Sequence, residues 1–298
     1  MAPALLVVAV GLWRNVCPLA STALFSRHMG FSKRIKLTET RIGQLNLIAV
    51  IALFTIVPLR HAIFDMNGMA TAILLIAIAV IAIIAGLLTE WKSGWCSGLC
   101  PVHPVEKLYG INNKFSLPNA HCNQCFRCVT PCPDSTPADN PLSLKKTAYH
   151  KIASFLMVAA FPGFVWGWFQ VPDYPAITSA AQLISIYKTP LIGSLVSMIL
   201  FVVLNRYVRE KLLVGIFSAS AVSFYYWFRI PALLGFGVFP GDGMLVDLSA
   251  SIPEWSMYLT TVITTVFFFY WIVLSKQQQQ SWSIRPKYAK KEKKVSAT

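Results

Sequence analysis

A run of 20 residues from Met69 to Leu88 contains no charged side chain. Because an α-helix rises 1.5 Å per residue, about 20 apolar residues cross the roughly 30 Å hydrocarbon core of a bilayer. The chain has 55% hydrophobic and 13% charged residues, which is atypical of soluble domains. The sequence therefore predicts an all-α integral membrane protein with about six transmembrane helices. Their expected positions are 44–59, 69–88, 151–170, 189–205, 212–230 and 255–274.

A further apolar run, from Pro3 to Leu12, is too short to cross the bilayer alone. It lacks the basic residues that precede the apolar core of a signal peptide, and it continues directly into Trp13 and Arg14. We expect a shortened or half-inserted helix that is not cleaved.

The basic residues predict the orientation. If both termini are cytoplasmic, the outer loops contain only Arg60, Lys188 and Arg229 of the 26 Lys and Arg residues. This distribution follows the positive-inside rule. We therefore expect a multi-pass protein of the cytoplasmic (inner) membrane, with both termini and the long loop after the second helix on the cytoplasmic side. The net charge of +14 is explained by contact with anionic membrane lipid, so no nucleic acid partner is predicted.

The cytoplasmic loop after the second helix contains the pattern C-x2-C-x2-C-x3-C-P, formed by Cys122, Cys125, Cys128, Cys132 and Pro133. This spacing is the one with which bacterial ferredoxins present thiolates to an iron-sulfur cube. Structural zinc sites usually pair two C-x2-C elements across a longer spacer. The pattern predicts a 4Fe-4S cluster bound by these four cysteines.

The remaining three cysteines occur in C-P elements. Cys96, Cys100 and Pro101 form a C-x3-C-P element, and Cys17 with Pro18 repeats its second half, with Trp13 where the first cysteine would be. All seven cysteines lie on the predicted cytoplasmic side, so a disulfide scaffold is not expected. These three thiols are either inert, or redox-active, or transient metal ligands.

Two ligand arrangements remain open. Cys132 either closes a single cluster with the other three cysteines of its run, or Cys100 replaces it. In the second case Cys132, Cys96 and Cys17 are left for a second site, because the fourth cysteine of such a run can bind another cluster. A single cluster is the simpler expectation, and seven thiols are one short of two complete cubes.

Together, the hydrophobic helices, the C-P elements at the inner membrane edge and the ferredoxin-type cysteine run resemble a family of membrane-bound ferredoxins. That family includes NapH, MauN and the membrane part of NosR, and the resemblance covers roughly residues 10–140. It implies a 4Fe-4S electron-transfer component. The chain differs from the family in having one ferredoxin run instead of two, with four predicted helices after it.

Other chemistry finds little support in the sequence. No nucleotide-binding loop and no Ser-His-Asp order is present, and Glu39, Glu90 and Glu106 lack partners at a catalytic spacing. We therefore expect an electron-transfer component rather than a stand-alone enzyme. His61, near Arg60 and Asp65, is expected to face water at the outer end of the first helix rather than to bind quinone.

Five segments follow from these patterns. They are an N-terminal segment 1–43, helices one and two in 44–88, the iron-sulfur loop 89–150, helices three to six in 151–275, and a basic tail 276–298. We expect single electrons to pass between the cluster and either a quinone or a redox partner protein. The alternatives are a maturation factor that reduces or delivers a metal, and a structural or sensing subunit of a larger membrane complex.

Overall fold

The computed structural model describes residues 2–89, 94–112, 147–174, 179–239 and 241–275. Within these residues the chain is all-helical and forms no strand beyond one isolated bridge between Ile35 and Thr89. The α-helices are α1 (Ala2–Val8), α2 (Val10–Val16), α3 (Pro18–His28), α4 (Glu39–Leu59), α5 (Gly68–Leu88), α6 (Val102–Tyr109), α7 (Ala148–Phe155), α8 (Phe161–Trp168), α9 (Ala180–Leu204), α10 (Glu210–Leu233) and α11 (Trp255–Phe269).

Six helical stretches of the described chain are long and apolar enough to cross a membrane, which confirms the predicted number. We call them spans 1 to 6; π-helical turns join α7 to α8 and extend α4 and α11. The spans are Glu39–Phe64, Gly68–Leu88, Ala148–Trp168, Ala180–Leu204, Glu210–Leu233 and Trp255–Leu274. This is the architecture of a multi-pass membrane protein.

Span 4 begins nine residues before the predicted start at residue 189. Ser179 caps it by accepting a hydrogen bond from the backbone N–H of Gln182 at 3.4 Å. Lys188 is exposed on the side of this helix, so the charge that ended the apolar run in the sequence does not end the helix. Hydropathy detects the apolar centre of a helix but not its polar first turns.

Span 2 exposes much of its apolar surface. Met69, Ile73 and Ile76 are 70%, 60% and 64% exposed, respectively. A contiguous apolar surface of this kind is unfavourable in water and is expected where a helix faces lipid.

Spans 3 and 4 pack closely against each other. A Cβ atom added to Gly163 would overlap the carbonyl oxygen of Gly193, and one added to Gly193 would overlap that of Gly163. Small residues allow helix backbones in a membrane to approach in this way. The two spans therefore cross at backbone contact distance.

Contacts at the span ends define two faces of the bundle. At one end Gly43 of span 1 lies against Thr147 and His150 at the start of span 3. Near the same end, Asn112 donates a hydrogen bond to the hydroxyl oxygen of Ser275, just after span 6, at 2.8 Å. We call this end the cysteine face, because Cys17, Cys96 and Cys100 lie near it, as described below.

At the opposite face the end of span 1 meets spans 3 and 4. The indole N–H of Trp168 donates to the carbonyl oxygen of Val57 at 3.1 Å, and the hydroxyl of Tyr187 donates to that of Thr55 at 2.8 Å. Spans 1 and 3 therefore both run from the cysteine face to the opposite face.

The N-terminal apolar run packs inside the bundle. Leu6, Val7 and Val10 are buried in the main core. The backbone N–H of Ala4 donates to the hydroxyl of Tyr226 in span 5 at 2.9 Å. Tyr226 lies 16 residues after Glu210, or about 24 Å along that helix. The run therefore reaches well below the cysteine face.

Residues 94–112, which the sequence assigns to the iron-sulfur loop, fold back into the bundle. They form a π-helical turn at Trp95–Leu99, then α6, then a 3-10 turn at Gly110–Asn112. Every residue from Glu106 to Asn112 is buried. The hydroxyl of Ser218 in span 5 donates to the carbonyl oxygen of Leu108 at 2.6 Å, which fixes α6 against that span.

Candidate functional site

The four cysteines of the ferredoxin-type run, Cys122, Cys125, Cys128 and Cys132, lie outside the described residues, as does the basic tail 276–298. The geometry therefore concerns the two C-P elements, with Cys17, Cys96 and Cys100. All three are free cysteines; Cys100 is buried, and the other two are half-buried.

The two C-P elements have the same backbone conformation. Cys17 has φ −66° and ψ 114°, and Cys100 has φ −67° and ψ 116°. Each cysteine is extended and is followed by a proline; Pro18 is the first residue of α3, and Pro101 is the residue immediately before α6. Proline suits this place because its φ is already fixed near the helical value. The repeat seen in the sequence is thus a structural repeat.

Cys100 lies just before α6, and the backbone N–H groups of Val102 and His103 at the start of this helix lower the pKa of its thiol; the N–H of His103 donates to the carbonyl oxygen of Cys100 at 3.2 Å. The first N–H groups of a helix have no partner within the helix, so they favour negative charge at this position. This arrangement suits a thiolate ligand.

The surroundings of Cys100 nevertheless oppose ionisation when no metal is bound. Burial is the main cause, followed by the carboxylate of Glu106, and together they raise the pKa of Cys100 to about 12. A bound cation would offset both effects, since metal ligation deprotonates a thiol. Cys100 is therefore a thiol in the metal-free protein.

The folded chain brings the two C-P elements together. Cys17 is near enough that its charge contributes to the raised pKa of Cys100. Cys96 packs on the small cluster that contains Cys100 and Trp95. Trp13, at the position of the missing cysteine, packs on the main core, so the first element supplies a single thiol.

The crossing of α3 over span 2 positions these elements. Gly86 has no side chain, and a Cβ atom there would overlap the carbonyl oxygen of Ala23 in α3. The backbone N–H groups of Lys33 and Ile35 then donate to the last carbonyls of span 2, those of Leu87 and Leu88, at 2.7 and 2.9 Å. The segment after Cys17 is thus held against the C-terminal end of span 2. The chain continues from this same end to Cys96.

The described part of the chain does not form a complete metal site. It contains no group of three or more His, Cys, Asp or Glu side chains that could hold a metal ion. The thiol chemistry of the C-P elements fits an iron-sulfur cluster, but further ligands would have to come from outside the described residues. The number of clusters stays open.

Three ionisable side chains on α6 are buried: His103, which the sequence offered as a possible non-cysteine ligand of a second cluster, Glu106, and Lys107, which the sequence did not single out. His103, Glu106 and Lys107 are 8%, 8% and 4% exposed, and the imidazole Nδ1 of His103 lies 3.6 Å from the carboxylate of Glu106. Glu106 has no partner at a catalytic spacing in the sequence, yet in the fold its charge acts on Cys100. The signal available in the sequence was the spacing of three residues between His103 and Glu106, which places the two side chains on the same face of a helix.

The expectation of a water-facing histidine at the opposite face is wrong. His61 is 7% exposed, because it lies in the π-helical turn that ends span 1 and the chain after span 3 covers it. Its Nδ1 lies 2.6 Å from the carboxylate of Asp173, and its Nε2 lies 3.0 Å from the carbonyl oxygen of Trp168. Each ring nitrogen of His61 thus faces one oxygen atom of the segment that follows span 3 or ends it.

This pair borders a cavity of about 520 Å³, counting its open mouth. Trp168, Phe169 and Phe228 supply aromatic walls, and Arg229 and Asp242 supply charge. The cavity lies at the opposite end of the spans from the three described cysteines.

Comparison with protein-family models, with curated proteins and with solved structures finds no match for this chain. The likeness to membrane-bound ferredoxins rests on the hydrophobic helices and the cysteine motifs of the sequence.

Proposed function

We propose that this protein is a membrane-bound electron-transfer protein with a 4Fe-4S cluster bound by Cys122, Cys125, Cys128 and Cys132. One observation carries the proposal. The two C-P elements fold onto the end of the bundle that also holds Asn112 and Thr147, the residues on either side of 113–146. All seven cysteines of the chain thus belong to segments that begin or end at one face.

The cluster supplies reversible one-electron chemistry when bound. The chain's own residues hold the thiols and set their charge. Backbone N–H groups at the start of α6 stabilise negative charge on Cys100, and burial of this cysteine excludes water from its sulfur. Both effects tune a cluster when they act close to it.

In the proposed orientation the cysteine face is cytoplasmic, because the basic residues concentrate in the segments that end there. The redox partner is then either a quinone of the bilayer or a protein that docks at the cysteine face. Contact with lipid follows from the six spans.

The proximity of Cys17 to Cys100 supports a second candidate function. Thiols that approach one another outside the ferredoxin run would suit a maturation factor that reduces or delivers a metal. Under this alternative, Cys17→Ser and Cys100→Ser abolish function in cells as completely as Cys125→Ser. If the protein instead transfers electrons through a single cluster, these two substitutions alter the properties of that cluster without removing it.

Low-temperature EPR of anaerobically purified, dithionite-reduced protein tests the proposal, with iron and sulfide counted per chain. We expect about four irons and one reduced cubane signal in the wild type. Cys125→Ser should lose both, and Ser135→Ala, a matched control near the run, should keep both. A wild-type protein without iron, or a Cys125→Ser protein with unchanged iron, would end this interpretation.

A further inference from the structure

Residues 29–36, which we call the strap, connect α3 to span 1 and cross the end of span 2. The hydroxyl of Ser32 donates to the carbonyl oxygen of Gly86 at 2.9 Å. This bond adds to the two backbone hydrogen bonds that the strap makes with the last residues of span 2. The strap is therefore a fixed surface at the cysteine face.

The strap lies at the depth where hydrocarbon meets the lipid headgroups. Span 2 has 21 residues, which at 1.5 Å per residue correspond to about 30 Å, the thickness of the hydrocarbon core. The strap is bonded to Gly86, Leu87 and Leu88, the last three residues of this span. Headgroups of the lipids around span 2 therefore lie at the level of the strap.

Apolar side chains are exposed at this level. Phe25 of α3 is 58% exposed, and Met29 and Phe31 of the strap are 56% and 71% exposed. Such side chains are unfavourable in water and favourable against the acyl chains of an interfacial lipid. Their exposure indicates that lipid, rather than bulk water, borders this part of the strap.

Three cations accompany these apolar side chains. Lys33, Arg34 and Lys36 are exposed, and none of them forms an ion pair with another described residue. Glu39 is the only acidic residue in the sequence from 29 to 41. The positive charge of the strap is therefore available to an anion.

Arg34 has a backbone conformation that suits glycine better than arginine. Its φ is 54°, in the left-handed region that a long side chain seldom adopts. The backbone hydrogen bonds of Lys33 and Ile35, on either side of it, hold this conformation. Strained residues of this kind concentrate at ligand-binding positions. An arginine at this place is explained if its guanidinium binds a ligand.

The combination of cations and apolar side chains selects a class of ligand. Lys and Arg side chains bind phosphate oxygens through charge-assisted hydrogen bonds. A free phosphate ion would leave Met29 and Phe31 without a partner, whereas a phospholipid brings its acyl chains to them. In the proposed orientation this lipid belongs to the cytoplasmic leaflet, whose surface is negatively charged.

We propose that the strap binds an anionic phospholipid, with the lipid phosphate at Lys33, Arg34 and Lys36 and the acyl chains against Met29 and Phe31. The proposal goes beyond electron transfer and does not depend on the cluster. Because the strap holds the segment after Cys17 against span 2, a bound lipid would also stabilise the position of the first C-P element.

The experiment uses the full chain in detergent micelles and dioleoylphosphatidylglycerol as the probe. Native mass spectrometry gives the number of lipids bound per chain and their dissociation constant, and zwitterionic dioleoylphosphatidylcholine is the comparison. We expect the wild type to bind the anionic lipid more tightly. Arg34→Gly should weaken this binding about fivefold, which is the loss expected for one cation close to a lipid surface.

Two variants separate binding from a structural role of the arginine. Glycine adopts the backbone conformation of residue 34 without strain, so without added lipid Arg34→Gly should unfold at the temperature of the wild type or above it. Lys36→Gln removes a second cation of the strap without a change of this kind. It should weaken binding of the anionic lipid by a similar factor.

Arg206→Gln is the matched control. Arg206 is exposed in the connection between spans 4 and 5, and its loss removes the same charge away from the strap. Lys107 would not serve, because it is buried beside a small cavity that His150 also borders. The control should bind dioleoylphosphatidylglycerol as the wild type does.

Weaker binding of the anionic lipid in Arg34→Gly and Lys36→Gln, but not in Arg206→Gln, would support the site. Equal losses in all three variants would show a general attraction between basic residues and lipid and would overturn it. Equal affinity of the wild type for the two lipids would also overturn it. Displacement of the bound lipid by millimolar inorganic phosphate would identify a site for free anions instead.

Discussion

At the scale of single residues, Cys100 combines two opposing influences. The N–H groups of Val102 and His103 favour its thiolate, whereas burial and the carboxylate of Glu106 favour its thiol, and the second pair prevails. A buried thiol of this kind is inert until a cation compensates the charge. Metal loading and thiol reactivity at Cys100 should therefore exclude one another.

This balance predicts the effect of Glu106→Gln in metal-free protein. Removing the carboxylate lowers the pKa of Cys100, so a larger fraction is thiolate at any pH below about 12 and alkylation is faster. The rate at which iodoacetamide modifies Cys100 at pH 9 measures the change, which should be several-fold; it is followed by mass spectrometry of the peptide that contains Cys100, in a Cys17→Ser, Cys96→Ser background. Glu39→Gln, at an exposed position, is the control. An equal rate in both variants would contradict the proposed influence of Glu106.

At the scale of helices, capping and close packing fix what hydropathy leaves undefined. Thr38, Asn67, Thr147 and Ser179 cap spans 1 to 4 with their side-chain oxygens and so set where these helices begin. Glycine then sets how closely spans 3 and 4 approach.

The contact between Gly163 and Gly193 predicts a large effect of a single methyl group. Gly163→Ala places a Cβ atom against the backbone of span 4, and the spans must separate or shift. Overpacking of this kind typically costs about 1–3 kcal/mol. The unfolding free energy in mixed micelles, followed by tryptophan fluorescence, measures it. Gly68→Ala meets open space and should not destabilise the protein; equal losses in the two variants would disprove the tight crossing.

At the scale of the whole molecule, the bundle separates two polar regions. One lies at the cysteine face and contains the described cysteines with the cavity beside Lys107. The other contains His61 and Asp173 at the opposite face. A partner that exchanges electrons with the cysteines has to reach the first.

The orientation of the molecule predicts which connections are accessible from outside the cell. Leu245, between spans 5 and 6, and Tyr207, between spans 4 and 5, are 78% and 82% exposed. A membrane-impermeant maleimide should label Leu245→Cys in intact spheroplasts and should label Tyr207→Cys only after permeabilisation, because the positive-inside rule places them on opposite sides. The reverse pattern would invert the proposed topology.

The number of spans and the position of each apolar centre could be predicted from the sequence, because both depend on hydrophobicity along a local stretch of chain. The same holds for the predicted ligands Cys122, Cys125, Cys128 and Cys132, whose spacing lies within a few turns of backbone and remains a prediction. The burial of His61 could not be predicted, since its partner Asp173 is 112 residues away.

Local pattern thus determined that this chain is a helical membrane protein, and it predicts an iron-sulfur site from the spacing of four cysteines. Only the tertiary structure decided that Cys17 lies near Cys100, that α6 turns into the bundle and that Lys107 and His150 border one cavity. These features depend on contacts between segments far apart in the chain, such as Gly86 with Ala23 and Gly43 with His150. A contact of this kind requires shape and hydrogen bonding to match on two separate segments, which no single stretch of sequence records.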